Sequence, residues 1–235
     1  MKKSTKKVEA IFISDVHLGS RGSNPEKLLE VLKKYDPQEL FIVGDFIDGW
    51  LLKKRHYWTQ ENTNVIRKIL SYSKEGTKVT YITGNHDDFL RSYSPFDMGE
   101  NIKIVDECTF KNYYVTHGDL YDGVVKLKWL GILGSVGYEI AISADRFLKR
   151  LGYKRSLSKY LKKKVKSAVK FIVSFEKQLA YQAKRRNCVG VICGHIHTVS
   201  DCLVDGIHYL NCGDWIENNS YIVYDKGSFN HHYSL

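Results

Sequence analysis

A chain of 235 residues can bury one generous domain, or one domain with a large insertion, and 43% hydrophobic residues with only three prolines exclude a disordered chain. Five cysteines, odd in number and without CxxC spacing, exclude a disulfide framework or a structural zinc signature, so reduced thiols are expected. The net charge of +10 is uneven: residues 123–187 hold 17 Lys+Arg against three acids, a balance of +14, and the remainder stands at −4.

The N-terminus, MKKSTKKVEAIFISD, starts with charge, but its apolar run from Ala10 to Ile13 is too short for a signal-peptide core. Leu130 to Ala144 is interrupted by Glu139 and falls short of a membrane span, so the expected location is cytoplasmic. Val8 to Ser14 reads as a buried strand ending at Asp15-Val16-His17, followed by an amphipathic helix from Pro25 to Lys34. A second strand, Glu39 to Val43, ends at Gly44-Asp45-Phe46-Ile47-Asp48. A helix from Trp58 to Lys74 leads to a third strand, Lys78 to Thr83, which ends at Gly84-Asn85-His86-Asp87. Shorter strands near Ile102 to Val105, Phe110 and Tyr113 to Thr116 follow, the last ending at His117-Gly118-Asp119. The basic segment reads as helical. Val189 to Cys193 then ends at Gly194-His195-Ile196-His197, and Val199 to Val204, Ile207 to Asn211 and Ser220 to Tyr224 are the closing strands.

The early strand–helix–strand order argues an α/β fold, in which right-handed crossovers bring successive strand ends to one sheet edge. Ligand sites form at the carboxyl ends of such strands. Taken singly, each strand-end motif is weak: Gly-Asp after a strand is usually a turn. Five in this order are a coherent metal constellation. Carboxylate with imidazole suits Mn, Fe, Co or Zn. Two such ions about 3.5–4 Å apart can share a water, lower its pKa and clamp a phosphoryl group.

In order and spacing these motifs resemble the calcineurin-like metallophosphoesterase superfamily over nearly the whole chain. The resemblance implies an αββα sandwich of two mixed sheets flanked by helices, in a single domain over 1–235 with a basic helical insertion at about 123–187. Carried over by position, Asp15, His17, Asp45 and His197 hold one divalent ion, and Asp45 (bridging), Asn85, His117 and His195 hold the other. Asn85 and His86 meet the phosphate, His86 stabilises or protonates the leaving oxygen, and Asp87 orients His86 by a hydrogen bond. Asp48 supports ligands from behind, while His56, His208, His231 and His232 match no motif. The implied reaction is metal-dependent hydrolysis of a phosphodiester or pyrophosphate by a hydroxide shared between two ions, manganese first, with Fe, Co or Zn as alternatives. Some relatives have lost ligands and act as scaffolds; here every ligand position is filled.

Within the insertion, Leu161, Val165, Ala168, Val169, Ile172, Leu179 and Ala183 recur at helical spacing with lysines between them, and Trp129 to Leu148 is more thoroughly apolar. One reading is a helical hairpin with a solvated cationic exterior. The other is a lid, basic toward phosphate and apolar toward lipid, able to touch the inner face of a membrane peripherally. That layout, with His117-Gly118-Asp119 and Asn211-Cys212-Gly213-Asp214-Trp215-Ile216-Glu217, resembles the UDP-2,3-diacylglucosamine diphosphatase branch, whose members split the pyrophosphate of a lipid-bearing nucleotide in the pathway to lipid A. His86 departs from the arginine typical of that branch, which leaves the exact substrate open. A nuclease or a nucleotide phosphodiesterase is the alternative; nucleic acid fits the mixed basic and apolar segment less well.

Overall fold

A computed structural model of the protein describes residues 5–121 and 157–234. The apolar stretch from Trp129 to Leu148, and with it the first part of the basic insertion, lies outside the described residues. Residues 1–120 with 179–235 form one compact unit, and residues 121–178 form a second.

The first unit holds two mixed sheets. Strands β1 (Lys6–Ile13), β2 (Tyr35–Val43), β3 (Lys78–Ile82), β4 (Phe96–Asp97) and β5 (Ile102–Val105) join β11 (Ser220–Asp225) and β12 (Ser228–Tyr233) in the order β12-β11-β1-β2-β3-β5-β4. The second sheet runs β6 (Glu107–Phe110), β7 (Tyr113–Thr116), β8 (Gly190–Cys193), β10 (Ile207–Asn211), β9 (Ser200–Val204). Strands β1, β2 and β3 are mutually parallel, as are β7 and β8. Their registers pair Ile13 with Ile42, Val43 with Ile82, and Val115 with Ile192. Parallel strands in register end at the same edge, so the segments after Ile13, Val43, Ile82, Thr116 and Cys193 are delivered to common ground.

Alternation along the strands sorts the core into two layers. Ala10, Phe12, Phe41, Val43 and Ile82 turn to one face and pack with Val115, Ile192 and Leu210 of the second sheet. Ile11, Ile13, Leu40, Ile42 and Val79 turn to the other, against Leu28, Val31 and Leu32 of α1 (Pro25–Lys34) and Val65, Ile69 and Tyr72 of a later helix. Helix α1 begins with proline and Glu26 and ends in Lys33 and Lys34, which matches the sign of its dipole at both ends. A six-residue helix, α2 (Gly49–Lys54), follows β2, and α3 (Gln60–Lys74) is capped by Thr59, whose hydroxyl accepts from the Asn62 amide.

On the second sheet, Arg186 sits 4.3 Å from the Tyr114 ring centroid and 2.9 Å from Glu107. It follows α4 (Leu157–Arg185), whose Leu179, Ala180 and Ala183 are fully buried. None of the described helices is long and apolar enough to cross a membrane.

The elements α2, β4 and β12 lie where the sequence analysis names none. Strand β12 lacks β-branched residues, yet it pairs antiparallel with β11 through a two-residue turn, Lys226-Gly227, both at positive φ. That is the twist a tight hairpin needs.

Candidate metal centre

Three of the strand-end segments turn sharply at their proposed ligands. Asp15, His17, Asp45, His195 and His197 have φ of 53°, 51°, 50°, 71° and 54°, in the left-handed region. Each costs about 1–3 kcal/mol and persists only where surroundings over-determine it; such residues gather at functional sites. The neighbouring glycines permit the approach. A Cβ on Gly84 would stand 2.3 Å from Asp45 Oδ1, and one on Gly194 would stand 1.8 Å from Ser14 Oγ and 2.4 Å from Asp15 Oδ2.

The two central carboxylates are held alike. Asp15 Oδ2 accepts the His195 amide at 2.9 Å, and Asp45 Oδ1 accepts the His86 amide at 2.7 Å. One oxygen of each is thus fixed by the backbone of another loop, and the other oxygen is turned inward. Asp45 Oδ2 faces His117 Nε2 at 3.4 Å, His17 Nε2 at 3.9 Å and His86 Nε2 at 4.0 Å. Asp15 Oδ1 faces His197 Nε2 at 3.1 Å and His17 Nε2 at 3.8 Å. Three overlapping groups could each hold a cation: Asp15, His17 and His197; His17, Asp45 and His86; Asp15, Asp45 and His117. The His195 ring lies 5.2 Å from that of His117, centroid to centroid.

Asp15 Oδ1, His17 Nε2, Asn85 Oδ1 and His117 Nε2 are buried without a hydrogen-bond partner. Such atoms would be costly in a purely structural cluster, and those of Asp15, His17 and His117 belong to the groups that could hold a cation. They are the donor set a divalent cation requires, so the residues fit a metal centre. His117 supports this from its other side, where Nδ1 pairs with the Val43 carbonyl at 2.9 Å and leaves Nε2 as the free electron pair.

Electrostatics agree. Burial alone would lower the His17 and His117 imidazoles, yet carboxylates raise each to about 10: Asp15, Asp48 and Asp45 around His17, and Asp45 and Asp15 around His117. Burial opposes ionisation of Asp15, and His197 and His117 nonetheless hold its carboxyl well below the usual range. A pocket that favours protons on buried imidazoles has the negative potential that attracts cations.

Asp87 is bonded to two of the strand-end loops. Its Oδ2 accepts from the Phe46 amide (2.9 Å) and the Tyr81 hydroxyl (2.6 Å), and its Oδ1 from the Gly84 amide. Asp87 therefore ties the Asp45 loop to the Asn85 loop. The carboxylate against the His86 ring is that of Asp48, 3.0 Å from Nδ1, and its other oxygen is 3.4 Å from His17 Nδ1. Asp48 also caps α2 by accepting the Leu51 amide, and Trp50 in α2 lies 4.3 Å from His86 between ring centroids. Trp50 had no place in the sequence expectation. The contact joins residues 36 positions apart, beyond the reach of a local pattern.

A family model described as calcineurin-like phosphoesterase matches residues 10–199. A UDP-2,3-diacylglucosamine hydrolase of Porphyromonas gingivalis is 26% identical over 253 residues, covering 91% of this chain and 93% of that one. Among solved structures, a dimetal phosphatase from Danio rerio covers 95% of each chain at 14% identity and a TM-score of 0.49. An archaeal phosphodiesterase covers 95% of this chain and 98% of its own at 13% identity, with a TM-score of 0.43.

Proposed function

The chain belongs to the calcineurin-like phosphoesterase family and is a phosphoester hydrolase, and from that premise we propose that it cleaves the pyrophosphate of a lipid-linked nucleotide with two divalent ions held at the strand-end loops. In this reading Asp15, His17, Asp45 and His197 hold one ion, and Asp45, Asn85, His117 and His195 hold the other. The buried, unpartnered Asp15 Oδ1, His17 Nε2, Asn85 Oδ1 and His117 Nε2 carry the proposal. When bound, the ions supply Lewis acidity and an activated water.

The chain's own groups then have distinct tasks. Asp45 turns Oδ2 toward His117 and His17 of the two ligand sets and would be the carboxylate they share. Asn85 completes its sphere without adding charge. His86, partly exposed and braced by Asp48 and Trp50, faces the phosphate and donates a proton to the leaving oxygen. Manganese is the proposed ion, because carboxylate, amide and imidazole donors suit it; Fe, Co and Zn share those preferences.

Two observations support a lipid-linked substrate: the 26% identical relative, and the +14 segment whose bases alternate with apolar residues. UDP-2,3-diacylglucosamine is the proposed member of that class, met at the inner face of the membrane through the basic segment. The test compares turnover of this lipid in detergent micelles with that of a small chromogenic diester. Substituting Lys162, Lys163 and Lys166 by alanine should raise KM for the lipid more than for the diester. Equal effects, or turnover of the diester alone, would remove the lipid from the proposal.

A further inference from the structure

We propose that Asp214, together with Asn218, is a positioning residue for His197 and sets the affinity of one ion of the pair without touching it. The inference rests on the two-ion reading above.

The segment from Asn211 to Ser220 is tied to the carbonyls of two proposed ligand residues. The Trp215 amide donates to the Asp15 carbonyl at 3.1 Å, and Asn218 Nδ2 donates to the His197 carbonyl at 3.1 Å. Both recipients sit at positive φ, so their backbones depend on outside restraint. Asp214 is the hub. Its Oδ1 accepts the amides of Ile216 (2.8 Å), Glu217 (2.7 Å) and Asn218 (3.1 Å), which fixes the turn. Its Oδ2 accepts Asn218 Nδ2 at 2.7 Å and faces His197 Nδ1 at 3.7 Å. The carboxylate is almost wholly buried, so its charge is little screened by solvent.

A comparison among the imidazoles gives the arrangement its meaning. His17 Nδ1 faces the Asp48 carboxylate and His197 Nδ1 faces that of Asp214, whereas His117 Nδ1 meets the neutral Val43 carbonyl. A carboxylate behind an imidazole fixes its tautomer and raises its basicity as a ligand. The ion assigned to His17 and His197 is therefore backed by the carboxylates of Asp48 and Asp214. Asp214 should act on that ion alone, and through His197.

The experiment titrates Mn(II) into chelator-stripped protein and follows free Mn(II) by electron paramagnetic resonance. It uses wild type, Asp214→Asn, His197→Ala and the double variant. Wild type should bind two ions. Asp214→Asn keeps an oxygen for the turn and should weaken one ion by about 10- to 100-fold while sparing the other. In the His197→Ala background the same substitution should have no further effect. Should Asp214→Asn not fold, Asn218→Ala removes the tie to the His197 carbonyl and should weaken the same ion. Undiminished weakening in the His197→Ala background, or equal loss of both ions, would overturn the proposal. So would unchanged Mn(II) affinities with only a lower melting temperature. Failure of wild type to bind Mn(II) would instead bring down the two-ion reading itself, and this proposal with it.

Discussion

At the scale of single residues, the centre depends on atoms that have one neighbour too few and backbones that are bent too far. His86 differs from the ligands because its ring is braced by Asp48 and Trp50 and is partly open to solvent. His86→Ala should keep both ions and lose roughly 10²-fold or more in kcat, the size of a general-acid contribution. Retained full activity with both ions bound would remove the role assigned to His86. Gly84→Ala tests the packing argument instead. Its Cβ would fall 2.3 Å from Asp45 Oδ1, so the carboxylate proposed to bridge must shift. The expected result is weakened binding of both ions, read by titration. Wild-type affinities in that variant would show that the loop can give way. These residues were legible in the sequence because each follows an apolar strand. The division between Asp48 and Asp87 was not: both are aspartates beside ligands, and only the folded distances show that Asp48 meets His86 whereas Asp87 joins two loops.

At the scale of elements, α2 connects helix capping to chemistry. Asp48 starts the helix with one oxygen and contacts both His17 and His86, and the helix it starts carries Trp50 onto His86. Asp48→Asn can still accept the Leu51 amide, so it should preserve α2 while removing charge behind the two imidazoles. Asp48→Ala should lose the cap as well, at about 1 kcal/mol. Melting curves should therefore separate the two variants, while kcat falls in both. Equal melting temperatures would contradict the capping role, and unchanged kcat would contradict the bracing role. Six residues leave too little periodicity to announce such a helix. Strands β1, β2 and β3 were easier, since their apolar runs end abruptly in glycine or serine. Strand β12 was missed because Ser228 to Tyr233 is polar, although Asp225-Lys226-Gly227-Ser228 has the spacing of a tight turn.

At the scale of the whole molecule, one compact unit contains every proposed ligand, and most of the basic segment belongs to the other. Sequence pattern reached the first part well, because parallel strands bring their ends together by a general rule. In the second it reached the helical spacing that α4 (Leu157–Arg185) carries, but not the partner, since alternating bases and apolar residues fit several anionic ones. The central claim, a paired-ion hydrolase organised on Asp45, is tested most directly by counting metal and turnover in the same samples. Elemental analysis of purified wild type should find two divalent ions per chain, and turnover of a chromogenic diester should vanish on chelation and return with Mn(II). Asp45→Ala should lose metal and turnover together. Turnover that survives full removal of metal, or an Asp45→Ala variant with two ions and wild-type rate, would contradict the account.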